Sequence, residues 1–249
     1  MSIESQDDWA GLRAVSAVAR DALALLAREV RPGVTTGDLD ALAKALHGSR
    51  GAQSAPAVVY GFPGTVLISI NDEVVHGVPG RRRIRPGDLV SLDVTVELNG
   101  YVADAARSLV VPPGTDTAHR LVTCAKAAFD AALSVAKAGV PVREIGRAVQ
   151  RTVQREGFAV VRGLSGHGVG RTIHEPPTVP NEWDPTQMDV LTEGLVITIE
   201  PLVVAGSGRA REEADGWTIS TRDHSLAAHY EDTIVITQGR PVVLTEAAA

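Results

Sequence analysis

The sequence predicts an α/β (α+β) fold made of two duplicated halves, with a central, mostly antiparallel sheet covered by helices. Two observations predict this fold. Helical stretches alternate with short apolar strands, and the order helix, Gly-Val turn, helix, glycine, strands occurs twice. A shift of 106 residues places Gly33 on Gly139 and Gly51 on Gly157 without a gap. The duplication favours a pseudo-symmetric sheet with a functional site where the halves meet.

Length and composition are those of one globular domain. The chain has 249 residues, of which 44% are apolar, and no low-complexity linker divides it. We therefore expect a single domain over 1–249, with residues 1–8 as a loosely ordered tail. A net charge of −6 without a long basic run argues against a nucleic-acid substrate.

The expected compartment follows from what the sequence lacks. Cys124 is the single cysteine, so no internal disulfide can form, as is usual in a reducing compartment. No signal-peptide pattern and no membrane-spanning apolar stretch occurs in the sequence. We therefore expect a cytoplasmic protein without a membrane partner.

Hydrophobic spacing predicts the elements of the first half. Apolar residues at helical intervals predict helices over 9–30 and 36–48, with Thr36 as the N-cap of the second helix. After Gly51 the pattern changes to short apolar runs between turns. These runs predict strands over 58–60, 66–70 and 108–111, besides a central hairpin.

The second half shows the same succession of elements. Helical spacing is visible from Leu121 to Leu133 and again from Ile145 to Val153, with Gly139 between the two stretches. Apolar runs then predict strands over 158–161, 195–199, 217–221 and 229–237.

The central hairpin brings two aspartates together. Asn99-Gly100 favours a two-residue type I′ turn, which makes Leu98 face Tyr101. In that register Asp93 and Asp104 are diagonal neighbours on one face of the sheet. The opposite face is apolar, so the strand is expected to be central and buried. Two buried carboxylates repel each other, and a cation between them would remove the repulsion.

Five further polar residues occupy distinctive local positions, namely His76, His167, His174, Glu200 and Glu231. Each of them has an ordinary explanation when taken alone, as a loop residue or a strand end that reaches solvent. Glu200 fits such an explanation least well, because it ends an almost wholly apolar strand and Pro201 holds it extended.

The two histidines of the glycine-rich segment are expected to have different roles. His167 and His174 are seven residues apart, an odd separation that places them on opposite faces of a straight strand. They could face the same ion only if the glycines between them bend the chain. The segment does not match a nucleophile elbow or a dinucleotide fingerprint, so serine-nucleophile chemistry is disfavoured.

Five blocks in one order closely resemble type I methionine aminopeptidases: SINDEVVHGVP (69–79), SLDVTV (91–96), SGHGVGRTIHE (165–175), GLVITIEPLV (194–203) and YEDTIVI (230–236). The resemblance covers nearly the whole chain. It implies the pita-bread fold, which agrees with the duplicated halves. It also implies a cytoplasmic enzyme that removes the N-terminal methionine from nascent chains, with the ribosome as one expected place of action. A monomer is the family expectation.

The resemblance further implies a centre with two divalent ions. Asp93 would bind one ion through both oxygens, Asp104 and Glu231 would bridge the two ions, and His167 with Glu200 would complete the other. This oxygen-rich set suits Mn²⁺, Fe²⁺ or Co²⁺ at least as well as Zn²⁺.

Three residues take catalytic roles by the same resemblance. Glu200 would carry protons, and His174 would contact the peptide carbonyl and its oxyanion. His76 would lie near the scissile nitrogen.

The resemblance is incomplete around the expected side-chain pocket. Phe62 and Trp217 match aromatic pocket positions. Ile173 stands where phenylalanine is usual, Leu67 where cysteine is frequent, and Val59 where many members have tyrosine. Outside the pocket, Ala103 replaces a usual glycine and His229 a common glutamine. Hydrolysis is therefore expected, while the strictness of the methionine preference is left open.

Three alternative assignments within this fold each have a sequence feature against them. Prolidases and proline aminopeptidases of this fold carry a large N-terminal domain, for which there is no room before the first helix. Type II methionine enzymes carry a late helical insertion, whereas only 25 residues lie between His174 and Glu200. Non-catalytic, peptide-binding relatives typically lose metal ligands, and here all five are present.

Overall fold

The computed structural model describes residues 1–246. Its helices are α1 to α5, which span Gln6–Glu29, Thr36–Ser49, Ala55–Tyr60, Asp116–Val135 and Arg143–Arg155. Its strands are β1 to β14, which span Gln53–Ser54, Leu67–Ile70, Glu73–Val75, Leu89–Leu98, Tyr101–Val110, Ala159–Val160, Ser165–Gly168, Glu175–Pro180, Val196–Ile199, Leu202–Val204, Ala210–Glu212, Ile219–Thr221, Ala227–Val235 and Val242–Val243.

One sheet of eleven strands organises the molecule. Its main path runs β1-β4-β5-β13-β9-β7-β8, and all of these neighbours pair antiparallel. Strands β2, β6, β10 and β14 extend it at the sides, while β11, β12 and β3 form a separate small sheet. The predicted sheet, mostly antiparallel and central, is thus present.

The central hairpin has the predicted register. In β4 and β5, Leu98 pairs with Tyr101, Asp93 with Ala106 and Thr95 with Asp104. Both turn residues have positive φ, 53° at Asn99 and 78° at Gly100, as a type I′ turn requires. The turn chemistry of two residues therefore sets the register of ten pairs.

The duplication is visible in the backbone hydrogen bonds. In the first half Gly33 N donates to Ile84 O, and Ile84 N donates to Val34 O. In the second half Gly139 N donates to Leu191 O, and Leu191 N donates to Val140 O. The helix ends also match, since Ala52 N donates to His47 O and, 106 residues later, Phe158 N donates to Val153 O. The halves thus repeat in structure as the glycine spacing predicts.

Helices cover one face of the sheet. The apolar residues Val90, Leu92, Val94 and Val96 of β4 belong to a core that also contains buried residues of α1 and α2. A second core joins α4 and α5 to β9 and β13. The other face of the central strands carries the polar residues described below.

Two segments differ from the sequence predictions. Residues 58–60 lie in helix α3 rather than in a strand, because Ser54 caps its first turn, Pro56 occupies an early position, and Gly61 ends it with φ 73°. The N-terminal residues are not a loose tail: Met1 O accepts from Val196 N, Ile3 N donates to Gly194 O, and α1 already begins at Gln6.

Smaller differences concern element boundaries. Thr35, not Thr36, is the N-cap of α2, where it forms a capping box with Asp38. Residues 108–110 continue β5 instead of forming a separate strand. Within residues 1–246 no helix is long and apolar enough to cross a membrane.

Candidate metal centre

Five acidic or imidazole side chains lie on one face of the large sheet. Asp93 and Glu231 both pair with Ala106, so β4, β5 and β13 present them in one row, with Asp104 two residues away on β5. Asp232 pairs with Ile199, which puts Glu200 beside Glu231. Gly168 pairs with Ile197, and this pairing brings His167 to the same face. We call these five residues the acidic floor.

Neighbouring hydrogen bonds hold the acidic floor in place. Thr95 Oγ1 donates to Asp104 Oδ1 over 2.9 Å, and Asp104 N donates to Thr233 Oγ1. Nη2 of Arg107 donates to both carboxylate oxygens of Asp232, at 2.7 and 2.9 Å, and Nη1 donates to the carbonyl oxygen of Glu231. The β5–β13 pairing next to Glu231 is thereby fixed by side chains as well as by backbone.

Burial makes the acidic floor electrostatically unfavourable without a cation. All four carboxylates are at most 9% exposed. Burial, together with the charge of Asp104, raises the pKa of Asp93, Glu200 and Glu231 well above the usual range. Burial also raises the pKa of Asp104 to about 6. Such displaced values gather at functional sites, and a positive ion would reverse them.

The unpartnered atoms of this region fit a metal ion. Asp93 Oδ1 and Glu231 Oε1 are buried and have no hydrogen-bond partner. An unsatisfied buried polar group costs about 1–3 kcal/mol, so native proteins rarely keep one. Two groups of possible ligand atoms share Glu231: one adds Asp104 and His167, the other Asp93 and His229. This carboxylate-rich set is suited to divalent ions that accept both oxygen and imidazole ligands.

The backbone selects the tautomer of His167. Its Nδ1 lies 2.9 Å from the carbonyl oxygen of Gly168, which can only accept a hydrogen bond. Nδ1 therefore carries the hydrogen, and Nε2 presents a lone pair to the acidic floor, 3.7 Å from Glu200 Oε1 and 4.0 Å from Asp104 Oδ2. Burial lowers the pKa of His167 to about 4, so the ring is neutral at neutral pH.

A turn brings His174 back to the cavity. Glu175 Oε1 accepts from the backbone N–H groups of Arg171 and Thr172, which closes the turn after β7. The rings of His167 and His174 consequently stand edge to face, with centroids 4.3 Å apart. The chain thus bends, and the two imidazoles face one cavity despite their odd spacing.

The cavity above the acidic floor has an apolar wall, which we define as Tyr60, Phe62, Leu67, Ile173 and Trp217. Phe62 and Trp217 meet edge to face at 5.2 Å. The cavity lining includes every predicted site residue except Val59, which is 53% exposed on α3. His76 lines the cavity too, held at φ 61° just before Gly77. A Cβ on Gly77 would lie 2.2 Å from the carbonyl oxygen of Ile68, so glycine is needed there.

Sequence reasoning missed Tyr60. Its hydroxyl lies 2.6 Å from Nδ1 of His174, and the partial burial of this half-exposed tyrosine raises its pKa, so the hydroxyl stays protonated. A signal for it was present in Ser54, Pro56 and Gly61, which together mark the start and end of a short helix. On that helix Tyr60, rather than Val59, lines the cavity.

Comparisons with known proteins agree with this geometry. The model of metallopeptidase family M24 matches residues 10–238. Methionine aminopeptidase 2 of Bacillus subtilis is 39% identical over 248 residues, which cover 99% of this chain and all of the relative. The methionine aminopeptidase of Escherichia coli K12 is 38% identical over 98% of this chain and 94% of its own length.

Solved structures give the same result. The methionine aminopeptidase of Thermotoga maritima superposes with a TM-score of 0.95 at 32% identity, over 99% of this chain and all of the other. The prolidase of Pyrococcus furiosus, at 23% identity, shares the fold alone, with a TM-score of 0.80 over 99% of this chain and 66% of that one. The pita-bread fold predicted from the sequence is confirmed. By its matched length, its fold and its relatives, the chain belongs to metallopeptidase family M24.

Proposed function

We propose that this protein is a metal-dependent aminopeptidase that removes the N-terminal methionine from nascent proteins and peptides. The observation that carries the proposal is the acidic floor, in which four buried carboxylates and one imidazole converge below an apolar wall. Relatives named methionine aminopeptidases, matched over nearly the whole chain, support the substrate. A purely peptide-binding role is disfavoured, because such a role would not require four carboxylates buried together.

We propose that the acidic floor binds two divalent ions, drawn from Mn²⁺, Fe²⁺, Co²⁺ and Zn²⁺. Asp93 would bind one ion, His167 and Glu200 the other, and Asp104 with Glu231 would be shared. The position of Glu231 in both groups of possible ligand atoms supports the sharing. Two such ions, when bound, lower the pKa of water and polarise a carbonyl.

Proton transfer and stabilisation of the developing negative charge are assigned to side chains of this protein. The Glu200 carboxylate is proposed to take a proton from the attacking water and to pass it to the leaving amine. His174 would donate from Nε2 to the carbonyl oxygen of the substrate as negative charge develops there. The Tyr60 hydroxyl favours this tautomer if it donates to Nδ1, which leaves the hydrogen on Nε2. His76, on the same cavity, would assist the scissile nitrogen.

The apolar wall is proposed to hold the side chain of the first residue. Phe62 and Trp217 offer aromatic edges that suit a thioether. Ile173 and Leu67 are aliphatic, so part of the wall lacks aromatic surface. A methionine preference with a reduced margin over leucine or norleucine is therefore the specificity we propose.

Three further properties are proposed on the same basis. The protein acts as a single-domain monomer, it works in the cytoplasm, and it meets its substrates as they leave the ribosome. A net charge of −6 is compatible with peptide rather than nucleic-acid substrates.

A cleavage assay with and without metal tests the function. Purified protein would be stripped with a chelator, reloaded with each of the four ions, and assayed on Met-Ala-Ser and Leu-Ala-Ser peptides. We expect release of free methionine only after reloading, and slower release of leucine. Full activity of the stripped protein at trace metal would contradict the proposal.

A further inference from the structure

His229 shares the sheet face of the acidic floor. It lies on β13 two residues before Glu231, so both side chains point the same way. Its ring is 1% exposed, and its Nε2 is 3.5 Å from Glu231 Oε2 and 3.7 Å from Glu200 Oε2. A neutral imidazole with an inward-facing nitrogen is the commonest metal ligand in proteins.

The buried ring nitrogen of His229 has no hydrogen-bond partner. Among the described residues, the unpartnered buried atoms of this region are Asp93 Oδ1, Glu231 Oε1 and His229 Nε2. The same three residues can offer ligand atoms that all lie within 4.8 Å of one another. Each of these three neighbouring residues therefore has a buried polar atom without a partner. A single cation between them would give each residue a partner.

We infer that His229 is a sixth ligand of the centre, binding through Nε2 the ion that Asp93 holds, so that each of the two ions has one imidazole. The two groups of possible ligand atoms carry this assignment, since one contains His167, the other His229, and Glu231 belongs to both. The inference rests on the proposed metal-dependent function and adds a ligand to it.

A hydrogen-bonding role for His229 is the competing explanation. In that role Nε2–H would donate to Glu200 or Glu231 and orient the carboxylate. The observed separations of 3.5 and 3.7 Å are longer than an N–H···O bond, which is normally 2.7–3.2 Å. The two roles also respond differently to substitution. Glutamine retains an N–H donor but offers no imidazole nitrogen.

A second imidazole changes which metals the centre prefers. Imidazole suits Zn²⁺ and Fe²⁺, whereas carboxylate and water ligands suit Mn²⁺. Removing the His229 ring should therefore weaken Zn²⁺ binding more than Mn²⁺ binding. A donor that only orients a carboxylate would affect the two ions to a similar extent.

Counting imidazoles on bound cobalt tests the assignment. The stripped protein would be loaded with two equivalents of Co²⁺ and measured by X-ray absorption at the cobalt edge. We expect two imidazoles per pair of ions in the unaltered protein and one in His229→Gln. His47→Gln is the matched control, because His47 is also buried with both ring nitrogens unpartnered but lies outside the cavity. It should keep two imidazoles.

Titration calorimetry gives a second readout independent of activity. His229→Gln should weaken one of two Zn²⁺ sites by at least about tenfold and the matching Mn²⁺ site by less. One imidazole per ion pair in the unaltered protein would overturn the inference and leave the proposed function standing. Failure to bind any divalent ion would overturn both. If His229→Gln does not fold, the imidazole count of the unaltered protein decides alone.

Discussion

The acidic floor and the apolar wall of the cavity are built in opposite ways. The acidic floor lies on β4, β5, β7 and β13 and at the end of β9, paired strands of one sheet whose register fixes every side chain. The apolar wall comes from separate segments, including helix α3, strand β2 and the turn before His174. Of these three, only β2 belongs to the large sheet, where Leu67 pairs with Asp93, and no common register joins α3, β2 and the turn.

This difference predicts how the two regions tolerate change. In the acidic floor the like-charged carboxylates depend on shared cations, so removing one ligand weakens cation binding and leaves the remaining buried carboxylates uncompensated. In the apolar wall each contact adds a modest, separable amount, typically 1–3 kcal/mol per group. Expected effects therefore range from complete loss in the acidic floor to small changes of preference in the apolar wall.

The largest effect is expected from Asp93→Ala or Glu231→Ala, because each removes a ligand and leaves buried carboxylates unpaired. Methionine release should fall below detection, and elemental analysis should find less than the full metal content. Asp130→Ala, which removes an exposed carboxylate on α4, is the control and should change neither quantity. Full activity of either floor variant after chelation would contradict the role of this region.

His174→Ala separates the acidic floor from the residues above it. We expect metal content to be kept while kcat falls by roughly 10²-fold or more, as for the loss of an oxyanion donor. Kinetics and metal titration on the same preparation measure both quantities. A missing metal site in this variant would instead make His174 a ligand.

Tyr60→Phe tests whether the apolar wall also positions a catalytic group. It removes the 2.6 Å contact to His174 Nδ1 but keeps the ring. A hydrogen bond of about 1–1.5 kcal/mol corresponds to a roughly five- to tenfold lower kcat, with little change in KM.

Two further variants test whether Tyr60 affects kcat through His174. Val59→Ala, at an exposed site on the same helix, should have no effect. In a His174→Ala background Tyr60→Phe should add nothing, and an additive loss there would show that Tyr60 acts by another route.

Ile173→Phe should give the smallest change. An aromatic ring at this position would contact a thioether better than a branched aliphatic chain, by about 1 kcal/mol. The ratio of kcat/KM for methionyl over leucyl peptides should therefore rise about fivefold. Equal changes for both substrates would show that this part of the apolar wall does not set the preference.

Sequence reasoning succeeded for the central hairpin and for the duplication, where residue patterns along the chain set geometry. The Asn99-Gly100 turn fixed the hairpin register, so the shared face of Asp93 and Asp104 followed without further information. The glycine spacing revealed the duplication, which the hydrogen bonds of Gly33 and Gly139 reproduce. It failed at 58–60, where an apolar Val-Val-Tyr run looks like a strand although a cap and a proline begin a helix.

By itself, the sequence determined the fold class, the duplication, the apolar face of β4 opposite Asp93, and the identity of the five residues of the acidic floor. Turn preference and side-chain period act within short stretches, while the 106-residue repeat and the order of the five blocks are visible along the whole chain, so none of them requires the folded structure. Only the tertiary structure decided that Tyr60 and not Val59 meets His174, and that His229 faces Glu231 with an unpartnered nitrogen. These contacts join residues up to 114 positions apart, or depend on burial from both sides of a sheet. Local patterns mark the start and end of helix α3, but these contacts arise only when the strands, the helix and the turns pack together.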